Sequence, residues 1–256
     1  MPNAYELYSY LDKMIPRHLS CEWDNDGMMV CPDKYAEVNK VLLTLDITAE
    51  AIEYALDEGF DTIISHHPLI FKPLGAVNGE DHVSSKVITL IKNGVNAFSF
   101  HTRLDALDGG VNDMLAELLG IEDVEILPGD SDMIGRIGNL NVPMEPSEFA
   151  RFVKDQLGAA SINLIDAQLE VSRVALCGGD GKSLLSAAYK SGADTYITGS
   201  TSYNSMIDAL EYPINVIEAG HFHTENHVLG LLADMLEEFD SEIEIGTFES
   251  NAIKTL

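Results

Sequence analysis

Two sets of three short apolar, β-rich runs recur along the chain, with segments of helical character between them. The first set is KVLLTLDI at 40–47, DTIIS at 61–65 and VNAFSF at 95–100; the second is RVALCG at 173–178, DTYITG at 194–199 and INVIEAG at 214–220. Continuous apolar runs alternating with helices describe buried parallel strands in βαβ units, because a strand covered on both faces has no solvent side to mark with polar residues. An opening helix over residues 3–14, ended by Pro16, precedes the first set.

The two sets also match one another. At a displacement of 133 residues ALDEGFDTIIS (55–65) lies over AYKSGADTYIT (188–198). Ala55 meets Ala188, Gly59 meets Gly192, Asp61 meets Asp194, Thr62 meets Thr195 and Ile64 meets Ile197; Val41 and Leu43 then meet Val174 and Leu176. A helix, a glycine turn and a strand converge on similar residues in many α/β proteins, but the equal spacing of two strands favours an internal repeat. The expected fold is α/β, with two similar lobes built on largely parallel or mixed sheets. Residues 1–125 form the N-terminal α/β lobe, 126–170 a bridging segment and 171–256 the C-terminal α/β lobe, which can pack as one unit with the first. The bridge holds a Gly-interrupted strand, MIGRIGNLNV, and a helix, EPSEFARFVKDQLG, with Pro146 in its first turn.

Cationic side chains are scarce. Lys and Arg number 15 against 42 Asp and Glu, a formal charge of −27 at pH 7, which repels a phosphodiester backbone or an anionic leaflet and excludes nucleic acid as a main partner. No run of about eighteen apolar residues free of charge occurs, and the N-terminus lacks a basic start followed by an apolar block, so neither membrane insertion nor secretion is expected. Cys21, Cys31 and Cys177 fit neither a zinc knuckle nor a disulfide framework, and a reducing cytoplasm is the expected setting.

Metal-capable side chains gather just after the runs: His66 and His67 after DTIIS, His101 and Asp105 in HTRLD, and His221, His223 and Glu225 in GHFHTE. In open parallel α/β sheets ligands collect beyond the carboxyl ends of strands, so three separated clusters can meet in one crevice. Taken singly, a histidine near a strand end is more often a hydrogen-bonded core or surface residue. Three such ends, two with the spacing His-x-x-x-acid, favour a shared metal site. Neighbouring side chains on a regular strand point to opposite faces, so either one of His66 and His67 is incidental, or the chain turns, or there are two ions. The donor set exceeds what one tetrahedral zinc requires and suits borderline divalent ions such as Zn, Fe, Mn or Co. Thr224 is expected as the N-cap of a helix whose buried stripe is Val228, Leu231, Leu232, Met235, Leu236 and Phe239, with Glu225 in the first turn and His221 in the loop before it. An earlier helix start would instead pair His223 with His227 on one face.

CGGDGKS at 177–183 lacks the first glycine of a Walker loop, position 176 being Leu, and reads as a turn opening a helix. EWDNDG at 22–27 reads as a polar turn pinned by Trp23, expected to be buried. Arg103 is either a charge facing a substrate or a plain surface pair.

SHHPLIFKPL, HTRLD and GHFHTE, in this order and with EWDNDG and DTYITG beside them, resemble the Nif3-like dinuclear-metal family, also called GTP cyclohydrolase type 2 homologues; the likeness covers nearly the whole chain. That resemblance implies two similar lobes around a two-metal cleft, often in a ring-like homohexamer. It makes His66, His67, Asp105, His221 and Glu225 the ligands of two divalent ions, with His101 close by as a proton carrier. Family members commonly have an acidic residue and then a histidine after DTYITG, where this chain has STSYNS. The expected function is a metal-dependent hydrolase acting on a small, nucleotide-like molecule through activated water at a ring carbon, amide or phosphoester. The rivals are a non-catalytic metal holder for storage, delivery or sensing, and a protein-interaction platform with structural metals.

Overall fold

The structure, a computed structural model, describes residues 1–254. In chain order the strands are β1 (Gly27–Val30), β2 (Lys40–Thr44), β3 (Thr62–Ser65), β4 (Asn96–Ser99), β5 (Ile121–Ile126), β6 (Arg136–Met144), β7 (Asn163–Ile165), β8 (Val171–Asp180), β9 (Thr195–Ser200), β10 (Asn215–Glu218) and β11 (Glu244–Phe248). The α-helices are α1 (Ala4–Met14), α2 (Ala49–Asp57), α3 (His82–Asn93), α4 (Thr102–Ala106), α5 (Val111–Leu118), α6 (Pro146–Gln156), α7 (Leu185–Lys190), α8 (Tyr203–Glu211), α9 (His221–Glu225) and α10 (Val228–Phe239). None of them is long and apolar enough to cross a membrane.

The protein is α/β with two mixed sheets, and its chain divides into two units. One comprises Met1–Leu104 and Val228–Ala252; the other comprises Asp105–His227 with Ile253 and Lys254. The first holds the five-stranded sheet β1-β4-β3-β2-β11, in which β4, β3, β2 and β11 run parallel and β1 runs antiparallel at the edge. The second holds the six-stranded sheet β5-β6-β8-β9-β10-β7, with β8, β9 and β10 parallel and the rest antiparallel.

This division corrects the boundaries drawn from the sequence. Residues 126–170 are no bridge: β6 pairs with β8 inside the second sheet, and Phe149 and Val153 of α6 enter that sheet's core. Residues 228–252 leave the C-terminal lobe for the first unit, where β11 pairs in parallel with β2. A parallel pairing between strands some two hundred residues apart leaves no local trace in sequence.

The β-rich runs read from the sequence are the parallel cores of both sheets, and their continuous hydrophobicity has the expected cause. In β8 and β9, Val174, Leu176 and Ile197 enter one core, while Ala175, Cys177 and Tyr196 enter a second. Both faces of that sheet are therefore covered.

The residues matched at the 133-residue displacement also share strand register and hydrogen bonds. Val41 pairs with Thr62 and Thr62 with Asn96; Val174 pairs with Thr195 and Thr195 with Asn215. Asp61 Oδ2 accepts from the N–H groups of Asn39 (2.8 Å) and Lys40 (3.2 Å), and its Oδ1 accepts from the Thr62 hydroxyl (3.0 Å). Asp194 repeats this with Ser172 (2.9 Å), Arg173 (2.7 Å) and the Thr195 hydroxyl (2.8 Å). Asn96 then donates to Thr62 Oγ1 (3.2 Å) and Asn215 to Thr195 Oγ1 (3.1 Å). The Asp-Thr pair thus clamps the entry of each central strand.

Candidate metal centre

In the first unit β3 ends at Ser65, yet its neighbours hold the chain for two more residues. His66 N–H donates to Thr44 O (3.3 Å), His67 N–H donates to Leu45 O (2.9 Å), and the Ser65 hydroxyl donates to His67 O (2.7 Å). On the other side Phe100 N–H donates to Ser65 O (2.9 Å), which sets His101 just past β4. The ring centroids of His66, His67 and His101 lie 5.1, 5.2 and 5.6 Å apart. One ring nitrogen from each falls within 4.8 Å of those of the other two.

Each ring is oriented through Nδ1. That atom lies 3.0 Å from Phe100 O in His66, 2.8 Å from Asp46 Oδ1 in His67 and 2.9 Å from Asp24 Oδ1 in His101. Carbonyl and carboxylate oxygens only accept, so each Nδ1 carries a proton and, in the neutral ring, Nε2 bears the lone pair. Imidazoles fixed in this tautomer by acceptors behind them present Nε2 as a ligand for a divalent transition metal or as a carrier of a proton.

The EWDNDG turn supplies much of this support. The side chain of Asp24 is fully buried and accepts from His101 Nδ1, the Thr102 hydroxyl (2.6 Å) and Thr102 N–H (3.1 Å). Burial pushes its carboxyl up, but the hydrogen bond and charge of His101 and the two bonds from Thr102 outweigh this and hold it at about 2. Asp26 accepts from His101 N–H (3.2 Å) and from Arg103 Nε (2.9 Å). Arg103 neither faces a substrate nor forms a surface pair: it is fully buried, donating also to Asp12 (2.7 Å) and Ile15 O (2.9 Å). Trp23 is not buried either; it is 54% exposed, edge-on to Phe71 and His101.

The second unit holds Asp105, His221 and Glu225. The helix carrying the last two starts at His221, earlier than the sequence suggested, because Gly220 turns the chain with φ +93°. Thr224 is accordingly inside α9 and not its N-cap; its hydroxyl accepts from Gly179 N–H (3.1 Å) and lies 3.1 Å from Gly220 O. His221 and Glu225 share a face one turn apart, with His221 Nε2 3.1 Å from Glu225 Oε2. His221 Nδ1 lies 3.2 Å from the Ser200 hydroxyl, so the STSYNS segment supports the site even without an acid and a histidine. His227 lies beyond the end of α9, and its Nε2 is 2.8 Å from Val111 O.

Glu225 is only 3% exposed, and glycines make room for it. A Cβ on Gly179, whose φ is +61°, would collide with Glu225 Oε1 and come within 3.3 Å of His221 Nε2. A Cβ on Gly178 would lie 3.3 Å from Glu225 Cγ. CGGDGKS is therefore a glycine seat for a carboxylate, with its amides turned to protein partners. Asp105 is buried in α4, and its carbonyl accepts from Asn112 Nδ2 (3.3 Å); Asn112 Oδ1 in turn accepts from Gly178 N–H (2.7 Å).

The matched His-x-x-x-acid spacing is not a matched position. Strand register pairs Asn96 with Thr62 and Asn215 with Thr195, which sets Gly220, not His221, opposite His101 in the repeat. The supporting roles of Asp24, Asp46, Asn112 and Ser200 have no diagnostic spacing in the sequence, where only the acid-rich EWDNDG offers a signal, and Thr224 reads there as a cap alone.

The profile of the Duf34/NIF3 (NGG1p interacting factor 3) family matches residues 2–255. The chain is 34% identical over 245 residues to a GTP cyclohydrolase 1 type 2 homolog of Clostridium perfringens, covering 93% of each chain. It is 36% identical over 238 residues to one of Lactococcus lactis, covering 91% of each. In fold it is similar to the crystal structure of a Bacillus cereus protein related to NIF3, with a TM-score of 0.89 at 22% identity over 100% of both chains.

Proposed function

This chain belongs to the Duf34/NIF3 family, and from its donor groups we propose that it is a hydrolase dependent on two divalent transition-metal ions. The observation that carries this is the convergence of His66, His67 and His101, each with Nδ1 committed to an acceptor and one ring nitrogen within 4.8 Å of its neighbours'. His66, His67, Asp105, His221 and Glu225 hold the ions, and the mixture of imidazole and carboxylate suits Zn, Fe, Mn or Co. Bound there, the ions supply Lewis acidity that acidifies water and polarises the bond to be cleaved.

His101 moves the proton. Asp24 stays ionised behind its Nδ1 and holds the ring in one orientation, so Nε2 is presented to take up and return a proton. Asp46 orients His67 in the same way. The small molecule acted on carries a hydrolysable ring carbon, amide or phosphoester, and the relatives named as GTP cyclohydrolase homologues make a purine nucleotide the first candidate.

Metal analysis of the purified chain should find close to two ions, and His67→Ala or Glu225→Ala should lower that content; unchanged content removes the site assignment. Formate release from GTP, assayed with Zn, Mn and Fe in turn, tests the reaction. Bound metal without formate from any of them removes the cyclohydrolase reading and leaves hydrolysis of another bond or metal holding without turnover.

A further inference from the structure

Beside His101 stand two exposed aromatic rings that the hydrolytic chemistry does not use. Trp23 is 54% exposed and Phe71 45%. Trp23 lies 6.2 Å from Phe71 at 72° and 6.2 Å from His101 at 76°, while Phe71 lies 6.2 Å from His101 at 86°. The three rings make an open corner with walls at steep angles.

The corner is built and not accidental. Asn25 donates to the Ile70 carbonyl, tying the loop of Trp23 to the loop of Phe71, and the Asp24–His101 bond fixes the residue next to Trp23. Exposed large aromatics lose hydration favourably when a flat apolar surface covers them, and rings at steep angles let a planar ligand stack on one face while its edge meets another ring. From Phe71 a cleft of about 580 Å³ runs past His67 to Lys72, His82 and Lys86, with Asp46 on its wall. That volume lies within the range of small-molecule sites. In a chain with 15 cationic side chains against 42 acidic ones, two lysines and a histidine along one cleft select an anionic group.

We infer that Trp23 and Phe71 form a stacking subsite for a planar heteroaromatic base, and that the cleft beyond them takes the anionic tail of the same ligand, a mononucleotide. This inference rests on the hydrolase reading for the place of the subsite beside the reacting groups, and it names the class of substrate. Trp23 and Phe71 bind and position; they take no part in bond cleavage.

Trp23 is the only tryptophan, so its emission reports on the subsite directly. The full chain, metal-loaded and again after chelation, is titrated with guanosine monophosphate, guanosine and ribose phosphate. Saturable quenching by the two guanine compounds and none by ribose phosphate is the expected result, with the monophosphate binding more tightly than guanosine. Phe71→Ala should weaken guanosine monophosphate about tenfold or more, the scale of one base–aromatic stack. By equilibrium dialysis Trp23→Ala should do the same, while Trp23→Phe retains most of the binding.

Equal quenching by ribose phosphate, or unchanged affinity in Phe71→Ala, overturns the inference. So does emission that changes with protein concentration alone, because a second copy then covers the corner. Metal content measured on the same samples separates the two readings. Guanine binding by a chain that takes up no metal on loading supports the subsite and refutes the metal centre; two bound ions without guanine binding do the reverse.

Discussion

Replacing Gly179 with alanine should weaken the metal site as well as the fold, and a matched substitution shows why. Gly179 has φ +61° and Gly192 has φ +80°, so alanine is strained at both by about 1 kcal/mol or somewhat more. At Gly192 a new Cβ meets nothing within 4 Å. At Gly179 it collides with Glu225 Oε1 and comes within 3.1 Å of Glu225 Cδ. The colliding atom ends a flexible side chain, which can swing aside. Leaving its position takes a buried carboxylate away from His221, 3.1 Å distant, at a cost of about 1–3 kcal/mol for the disturbed polar group. Gly192→Ala should therefore lose about 1 kcal/mol and bind metal as the parent does, whereas Gly179→Ala should lose about 2–4 kcal/mol. Its metal affinity should fall about tenfold or more, as when groups orienting a ligand are removed. Urea unfolding on chelated protein reads the first quantity free of stabilisation by bound metal, and competition with a chelator reads the second. Equal losses of stability in the two variants, with metal affinity intact in both, would refute the reasoning that the glycines exist to seat Glu225.

Asp24 gives a pH dependence whose sign is fixed by its depressed carboxyl, about 2 when folded against an ordinary 3.8. Its stabilisation, of the order of 2 kcal/mol, is complete above pH 4 and is lost as pH falls towards 2; Asp24→Asn should remove that part of the acid limb in denaturant unfolding of the chelated protein, and an unaltered limb would count against it. Arg103→Met leaves Asp26 buried without its partner and should cost about 3–5 kcal/mol, with metal content per folded chain unchanged; a normal stability curve with altered metal or nucleotide binding would restore a functional role for the arginine. Asp61→Ala and Asp194→Ala each strip an acceptor from two backbone N–H groups and a threonine, so each should lose about 1–3 kcal/mol by urea unfolding; a large loss in one and none in the other would break the equivalence of the repeats.

The ligand candidates were legible because they follow apolar strands, and a strand's end is a local event. What holds them was not. Asp24 supports His101 from 77 residues away, and Asp46 supports His67 from 21. A carboxylate that accepts one ring N–H needs a direction in space and no fixed interval along the chain, so nothing in HTRLD points to EWDNDG. The repeat shows both sides of this. Asp61 and Asp194 announce themselves because their partners lie on adjoining strands at equal distances along the sequence. His101 and His221 share a spacing to an acid, yet strand register sets them one residue out of step.

The sequence by itself determined the alternation of helix and buried strand, the recurrence of the Asp-Thr pair and the residues able to bind metal, since each follows from periodicity, self-similarity or side-chain chemistry. Tertiary structure alone decided that β11 closes the first sheet, that residues 126–170 build the second, that Arg103 is buried and Trp23 exposed, and that CGGDGKS seats a carboxylate. Those outcomes depend on which distant surfaces meet. Pairing between distant segments is settled by the burial and hydrogen bonding of the whole fold, and no single stretch of chain encodes it.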